Sequence, residues 1–132
     1  MNTHTRDLVG AGLLVLGVYN LSLGALMAAA PGFFFEVIGP FGERNDHYTR
    51  DTATFGLALG ATALIAVRRA SWRASVLALL AVQFTLHALN HLVDIDAARP
   101  AAAGPIDFAL ITLGAVLAGV LAVRAWREES RR

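Results

Sequence analysis

The chain has 132 residues, of which 56% are hydrophobic and only 16% charged, about two-thirds of the usual charged share. All 11 basic residues are arginine, cysteine is absent and the net charge is +1. These numbers exclude a disulfide framework, a cysteine zinc site and thiol redox chemistry. They also give no basic patch with interleaved aromatics to bind nucleic acid, and the length bounds the chain to one domain, residues 1–132.

The first apolar run, Leu8 to Ala30, holds no charge. Ala28-Ala29-Ala30 ahead of Pro31 resembles a signal-peptide cleavage site. The apolar core of a signal peptide is only about 7–15 residues, however, so a retained membrane helix over 8–30 is expected. Gly10, Gly17 and Gly24 recur along it every seventh residue, a spacing that lets another backbone approach. Pro31-Gly32 then reads as a helix stop. Phe33, Phe34, Phe35, Val37, Ile38 and Phe41, interrupted by Gly39-Pro40, predict a short interfacial or re-entrant segment. Its rings would dip into lipid or cover the mouth of a helix bundle.

A second helix is expected over 51–67, opening at Asp51 and carrying Gly56-x-x-x-Gly60. A third is expected over 74–94, and a fourth over 106–124 with Asp107 at its start and the weaker pair Ala115 and Gly119. Asp96 to Pro105, rich in Ala, Pro and Gly, reads as a simple connector. A membrane span takes roughly 17–25 residues, so the first and third runs are comfortable and the other two short. The fold expected is all-α: an integral membrane four-helix bundle in contact with the lipid bilayer. Its small-residue faces are compatible with a homo-oligomer.

Four spans place both termini on one side. That side carries Arg6, Arg68, Arg69, Arg73, Arg124, Arg127, Arg131 and Arg132, whereas the other carries Arg44, Arg50 and Arg99. The positive-inside rule makes the arginine-rich side cytoplasmic, and Trp72 and Trp126 fall at its interface as an aromatic belt would. High Ala, Gly and Arg without Lys suits a bacterial source, hence a bacterial inner membrane. Most of the acids gather on the outer side: Glu36, Glu43, Asp46, Asp51, Asp94, Asp96 and Asp107.

The third helix carries the strongest functional signal. Gln83, His87, Asn90, His91 and Asp94 form a polar stripe on an otherwise apolar helix. Such groups are costly in a membrane and mark a functional site by default. The topology sets His47, Arg50, Asp51 and Asp107 at the same outer depth, while Asn20, Tyr19 and Gln83 would form a polar floor. The spacing of His87 and His91 lets two imidazoles share one ion. Asp94 and Asp51 would complete or orient such a site, and the donor set suits Zn, Fe, Cu or Mn without choosing among them. The same four residues would equally serve metal-free acid–base chemistry. His87, Asn90, His91 and Asp94 would also serve as interhelical hydrogen-bond glue, each bond worth roughly 0.6–2 kcal/mol. Asp51 and Asp107 have a further plain reading as acids at helix N-termini, with Arg50 reaching up to headgroups.

The order Pro31-x-x-Phe34, Asn45-x-His47-x-x-Arg50-Asp51, Gly56-x-x-x-Gly60 and His87-x-x-Asn90-His91-x-x-Asp94 resembles a group of small four-helix bacterial inner-membrane proteins, broadly DoxX-like. The resemblance implies a four-helix bundle of about this size, in a class named for a quinone-linked oxidoreductase subunit. No redox-cofactor motif accompanies it here. The function expected is a small membrane enzyme acting on a lipophilic molecule by redox or isomerisation chemistry, with His87, His91, Asp94 and Asp51 as its catalytic or metal-binding residues. The alternatives are a non-enzymatic ligand- or ion-binding or transport subunit, and a structural partner of another membrane complex.

Overall fold

The structure, a computed structural model, describes residues 7–131. Arg6 and Arg132, counted above on the cytoplasmic side, lie outside the described residues. Among those residues the protein is all-helical: α1 (Leu8–Ala29), α2 (Pro31–Val37), α3 (Asp46–Arg68), α4 (Arg73–Val93) and α5 (Ala103–Glu129), with a 3-10 turn at Ala70–Trp72. Local chemistry explains the boundaries. The Asp7 carboxylate caps α1 by accepting from the Gly10 amide at 2.8 Å, and the Asn45 side chain caps α3 by accepting from Tyr48 at 3.2 Å. Pro31 does more than stop α1. It occupies the first position of α2, where its missing N–H costs nothing and its fixed φ suits the new helix.

Among the described residues, three stretches are long and apolar enough to cross a membrane: Leu8–Ala29, Ala70–Val93 and Ala103–Glu129. α3 is as long, at 23 residues, but does not reach that hydropathy. His47, Arg50 and Asp51 in its first two turns and Arg68 in its last shorten the uncharged stretch. Large apolar side chains cover the outside of the molecule, among them Leu79, Val82, Leu86, Leu113, Val116 and Val120, each more than half exposed. Lipid contact satisfies such a surface; water does not.

The long helices pack as two close antiparallel pairs, α1 with α3 and α4 with α5. The first pair rests on glycine. A β-carbon at Gly60 would stand 2.7 Å from the Leu21 nitrogen and 2.8 Å from the Gly17 carbonyl oxygen, and one at Gly24 would stand 2.9 Å from the Leu57 nitrogen. The glycine pattern of the first two expected helices is therefore consumed inside the chain. Gly10 differs, since it lies against the Asp7 cap rather than against α3. On α5 the expected pair of Ala115 and Gly119 is split, for Ala115 packs against the core. Gly119 meets open space, and the inward stripe is Ile111, Gly114, Ala118, Leu121 and Ala125, with Gly114 set against the Phe84 ring.

One end of the molecule is solid. There Val9, Leu13 and Leu16 of α1, Ala63 and Ala66 of α3, and Leu77 and Leu80 of α4 form a continuous buried core with the stripe of α5. Arg73 closes this end. Its guanidinium donates to the Ala66 and Val67 carbonyls at 3.3 and 2.6 Å and pairs with Asp7 at 2.8 Å. One side chain thus binds the start of α1, the end of α3 and the start of α4. At the opposite end the stretch expected to be a simple connector is pinned. Ala98 is buried and bridges Phe41, and the Arg99 amide donates to the Pro40 carbonyl at 3.0 Å.

Candidate functional site

The half of the molecule away from the Arg73 clamp is hollow. A cavity of about 680 Å³ lies between the upper halves of α1, α3 and α4, the first turns of α5, and α2 with its following loop. That volume falls in the range of roughly 300–1,000 Å³ usual for small-molecule sites. Its floor and walls are mostly apolar, with Leu23, Met27, Leu59, Phe84, Leu110 and Ile111. Phe34, Phe35, Ile38 and Phe41 cover it from above, so the phenylalanine-rich segment is a roof over the bundle mouth.

Polar groups enter this apolar chamber at a few points. Asn20, only 7% exposed, donates its side-chain amide to the Leu16 carbonyl of its own helix at 2.8 Å. Tyr19 stands next to it, with its ring 6.2 Å from Phe84. From α4 come Gln83, His87 and His91, one turn apart in succession, and from α5 comes Asp107. The His87 and His91 Nε2 atoms are 3.1 Å apart, so one ring donates to the other and the two differ in protonation at that atom. Phe41 packs edge-on against His91 with ring centroids 4.6 Å apart. Two buried polar atoms on these residues have no partner among the described residues: Gln83 Oε1 and His91 Nδ1. A buried acceptor or donor left open costs on the order of 1–3 kcal/mol. Both residues line the cavity, although these two atoms are themselves buried.

The expected constellation is therefore divided. His87, His91, Gln83, Asn20 and Asp107 come together around one chamber. His47, Arg50, Asp51, Asn90 and Asp94 are exposed and do not line it. Helix boundaries give the physical reason. The Asn45 cap starts α3 five residues before the expected Asp51, which puts Asp51 in the second turn, where it pairs outward with His47 at 3.4 Å. Asp94 is the C-cap of α4, past the last helical turn. Conversely, α5 begins at Ala103, so Asp107 lies inside the helix rather than at its N-terminus and has no capping role. Among the described residues no group of three or more His, Asp or Glu side chains is gathered closely enough to hold a metal ion. The four-residue set His87, His91, Asp94 and Asp51 is accordingly not assembled, and only its histidine pair is.

Sequence reasoning missed the contribution of α3 and its approach. Glu43, Asn45, Tyr48, Thr49 and Thr52 all border the chamber. Their signal was present in the Asn45 cap, which fixes the helix start and hence puts Tyr48, Thr49 and Thr52 on consecutive turns. Arg44 was also missed. It pairs with Asp46 at 2.6 Å, lies against Gly32 and reaches Glu36 at 3.9 Å, tying α2 to the start of α3.

Comparison with protein-family models, curated proteins and solved structures finds no match to this chain.

Proposed function

We propose that the chain is a bacterial inner-membrane protein of four spans, with both termini cytoplasmic, whose outer half encloses a binding chamber for a lipophilic small molecule. On this reading α3 is the fourth span, its low hydropathy offset because its glycine face is covered by α1. The bound molecule meets the His87–His91 pair, which gives or takes a proton at one edge of it, while Asp107 and Gln83 orient its polar part. The observation that carries the reading is the chamber of about 680 Å³ with a hydrogen-bonded histidine pair in its wall and two buried polar atoms left open. A His with an open ring nitrogen in an apolar surround is suited to general acid–base work.

Filling the chamber tests this. Thr52 borders it and is exposed on α3, so Thr52→Trp places an indole in the space without touching the α1–α3 glycine contact. Protein purified from membranes in mild detergent is expected to carry a lipophilic molecule detectable by native mass spectrometry. Thr52→Trp is expected to lose it while keeping its helical content and thermal midpoint. Equal ligand content in both proteins would sink the reading.

One distance favours a second reading. Nitrogens 3.1 Å apart can both bind one transition-metal ion at bond lengths of about 2.0–2.1 Å. His87 and His91 would then be two ligands, with the remaining positions filled by water or by the bound molecule. Elemental analysis decides it. A metal present in stoichiometric amount and lost in His87→Ala would support it. No metal, with a thermal midpoint indifferent to chelator, would remove it.

A further inference from the structure

The charge pattern of the chamber narrows what it accepts. Two carboxylates border it, Asp107 and Glu43, and among the described residues no arginine does, while the chain has no lysine at all. The histidine pair cannot reverse this. With the two Nε2 atoms hydrogen-bonded at 3.1 Å, a second added proton would set two N–H groups against each other, so the pair carries at most one positive charge. With both carboxylates ionised, the lining carries a formal charge of −2, or −1 when the histidine pair holds a proton. Gln83 adds a buried acceptor oxygen without a partner. Tyr19, Phe34, Phe35 and Phe84 line the same chamber, and the face of an aromatic ring attracts cations.

We infer that the chamber selects a lipophilic cation or a protonated amine with an aromatic or aliphatic body, held through Asp107, Glu43 and the aromatic walls. An anionic amphiphile would meet two carboxylates and find no fixed cation. A neutral apolar molecule would offer the Asp107 carboxylate and the Gln83 amide no polar partner and would displace the water that otherwise reaches Asp107. The inference rests on the binding chamber proposed above and adds its charge preference.

The test is equilibrium dialysis of the protein in phosphatidylcholine nanodiscs, with empty nanodiscs as background. Three probes are compared: tetraphenylphosphonium, its anionic shape-mate tetraphenylborate, and neutral triphenylphosphine oxide. Tetraphenylphosphonium is expected to bind saturably, at about one per chain, and to compete with protonated alkylamines. Tetraphenylborate is expected to show no saturable binding. Asp107→Asn should weaken the cation by about tenfold and Glu43→Gln by a smaller factor, because each substitution removes one negative charge facing the ligand. The probe comparison on the native chain stands even where a variant does not fold. Saturable binding of tetraphenylborate as tight as that of the cation would overturn the inference, as would cation binding unchanged in both variants. Binding of the neutral probe, abolished in Thr52→Trp, without cation binding would overturn the charge preference and leave the chamber standing. Saturable binding of none of the three probes would take both down.

Discussion

Gly60→Leu is expected to prevent stable folding or to lower stability by about 3 kcal/mol or more. The four atoms of a leucine side chain have nowhere to go. Even the first of them would stand 2.7 Å from the Leu21 nitrogen and 2.8 Å from the Gly17 carbonyl oxygen, which belong to backbone and cannot rotate away. The only relief is separation of α1 from α3, which gives up the close backbone approach that holds this pair in a setting where water supplies no hydrophobic drive between helices. Overpacking of a tight interior costs roughly 1–3 kcal/mol per site, more where backbone must move. Gly119→Leu is the control. Nothing stands within 4 Å of a β-carbon there, and its effect should stay within about 0.5 kcal/mol. Thermal unfolding of both variants in the same detergent checks the contrast, and similar losses in the two would show that glycine packing is not what joins α1 to α3.

Arg73→Ala is expected to cost about 2–4 kcal/mol, the second largest effect. The Arg73 side chain, 17% exposed, makes two hydrogen bonds to the terminal carbonyls of α3 and an ion pair to the α1 cap. Charge-assisted bonds contribute roughly 1.5–3 kcal/mol each, and deletion leaves the carbonyl acceptors with nothing but whatever water reaches them. Arg73→Lys should recover little, because one ammonium cannot span three elements as a planar fork does. The same clamp gives a pH dependence. The Gly10 amide hydrogen bond and then the Arg73 guanidinium hold the Asp7 carboxyl below its ordinary value of 3.8. A depressed carboxyl contributes its stability in full above the unfolded value and loses it as pH falls through the folded one. Unfolding midpoints should therefore be flat above about pH 5 and fall below about pH 4, with a smaller fall in Asp7→Asn. A pH-independent difference between the two proteins would place the cap's contribution elsewhere.

Much of the fold is readable in the sequence because long uncharged runs leave few choices. α1, α4 and α5 follow from length and hydropathy, and the glycines at 17, 24 and 60 announce a close approach whose partners sequence alone does not name. Which face turns inward is less legible. In a lipid-facing protein the outside is as apolar as the inside, so Leu86 on the surface and Leu80 in the core look alike in sequence. That is why spacing favours Gly119 as a packing residue when Gly114 and Ala118 are the ones turned inward. At the site, the spacing of Gln83, His87 and His91 is enough to put them on one wall, and antiparallel topology brings Asp107 and Asn20 to the same depth. Asp51 and Asp94 share the depth of the site, but Asp51 lies on the exposed face of α3 and Asp94 at the C-cap of α4, and depth alone does not tell which way a side chain turns. The roof formed by Phe34, Phe35 and Phe41 is one of two arrangements the sequence leaves open. The pinning of Phe41 by Ala98 joins segments more than fifty residues apart, and no local pattern encodes it.

The central claim is that the outer half of this protein is a chamber built to hold a lipophilic molecule against His87 and His91. An electron density map of the protein extracted with its native lipids tests it most directly. The expected result is an elongated or ring-shaped density within the chamber, ending within hydrogen-bond distance of His91 Nδ1, Gln83 or Asp107. A chamber closed by inward collapse of Phe34, Phe41 and Phe84, with His91 Nδ1 and Gln83 Oε1 satisfied by the protein's own groups, would contradict it.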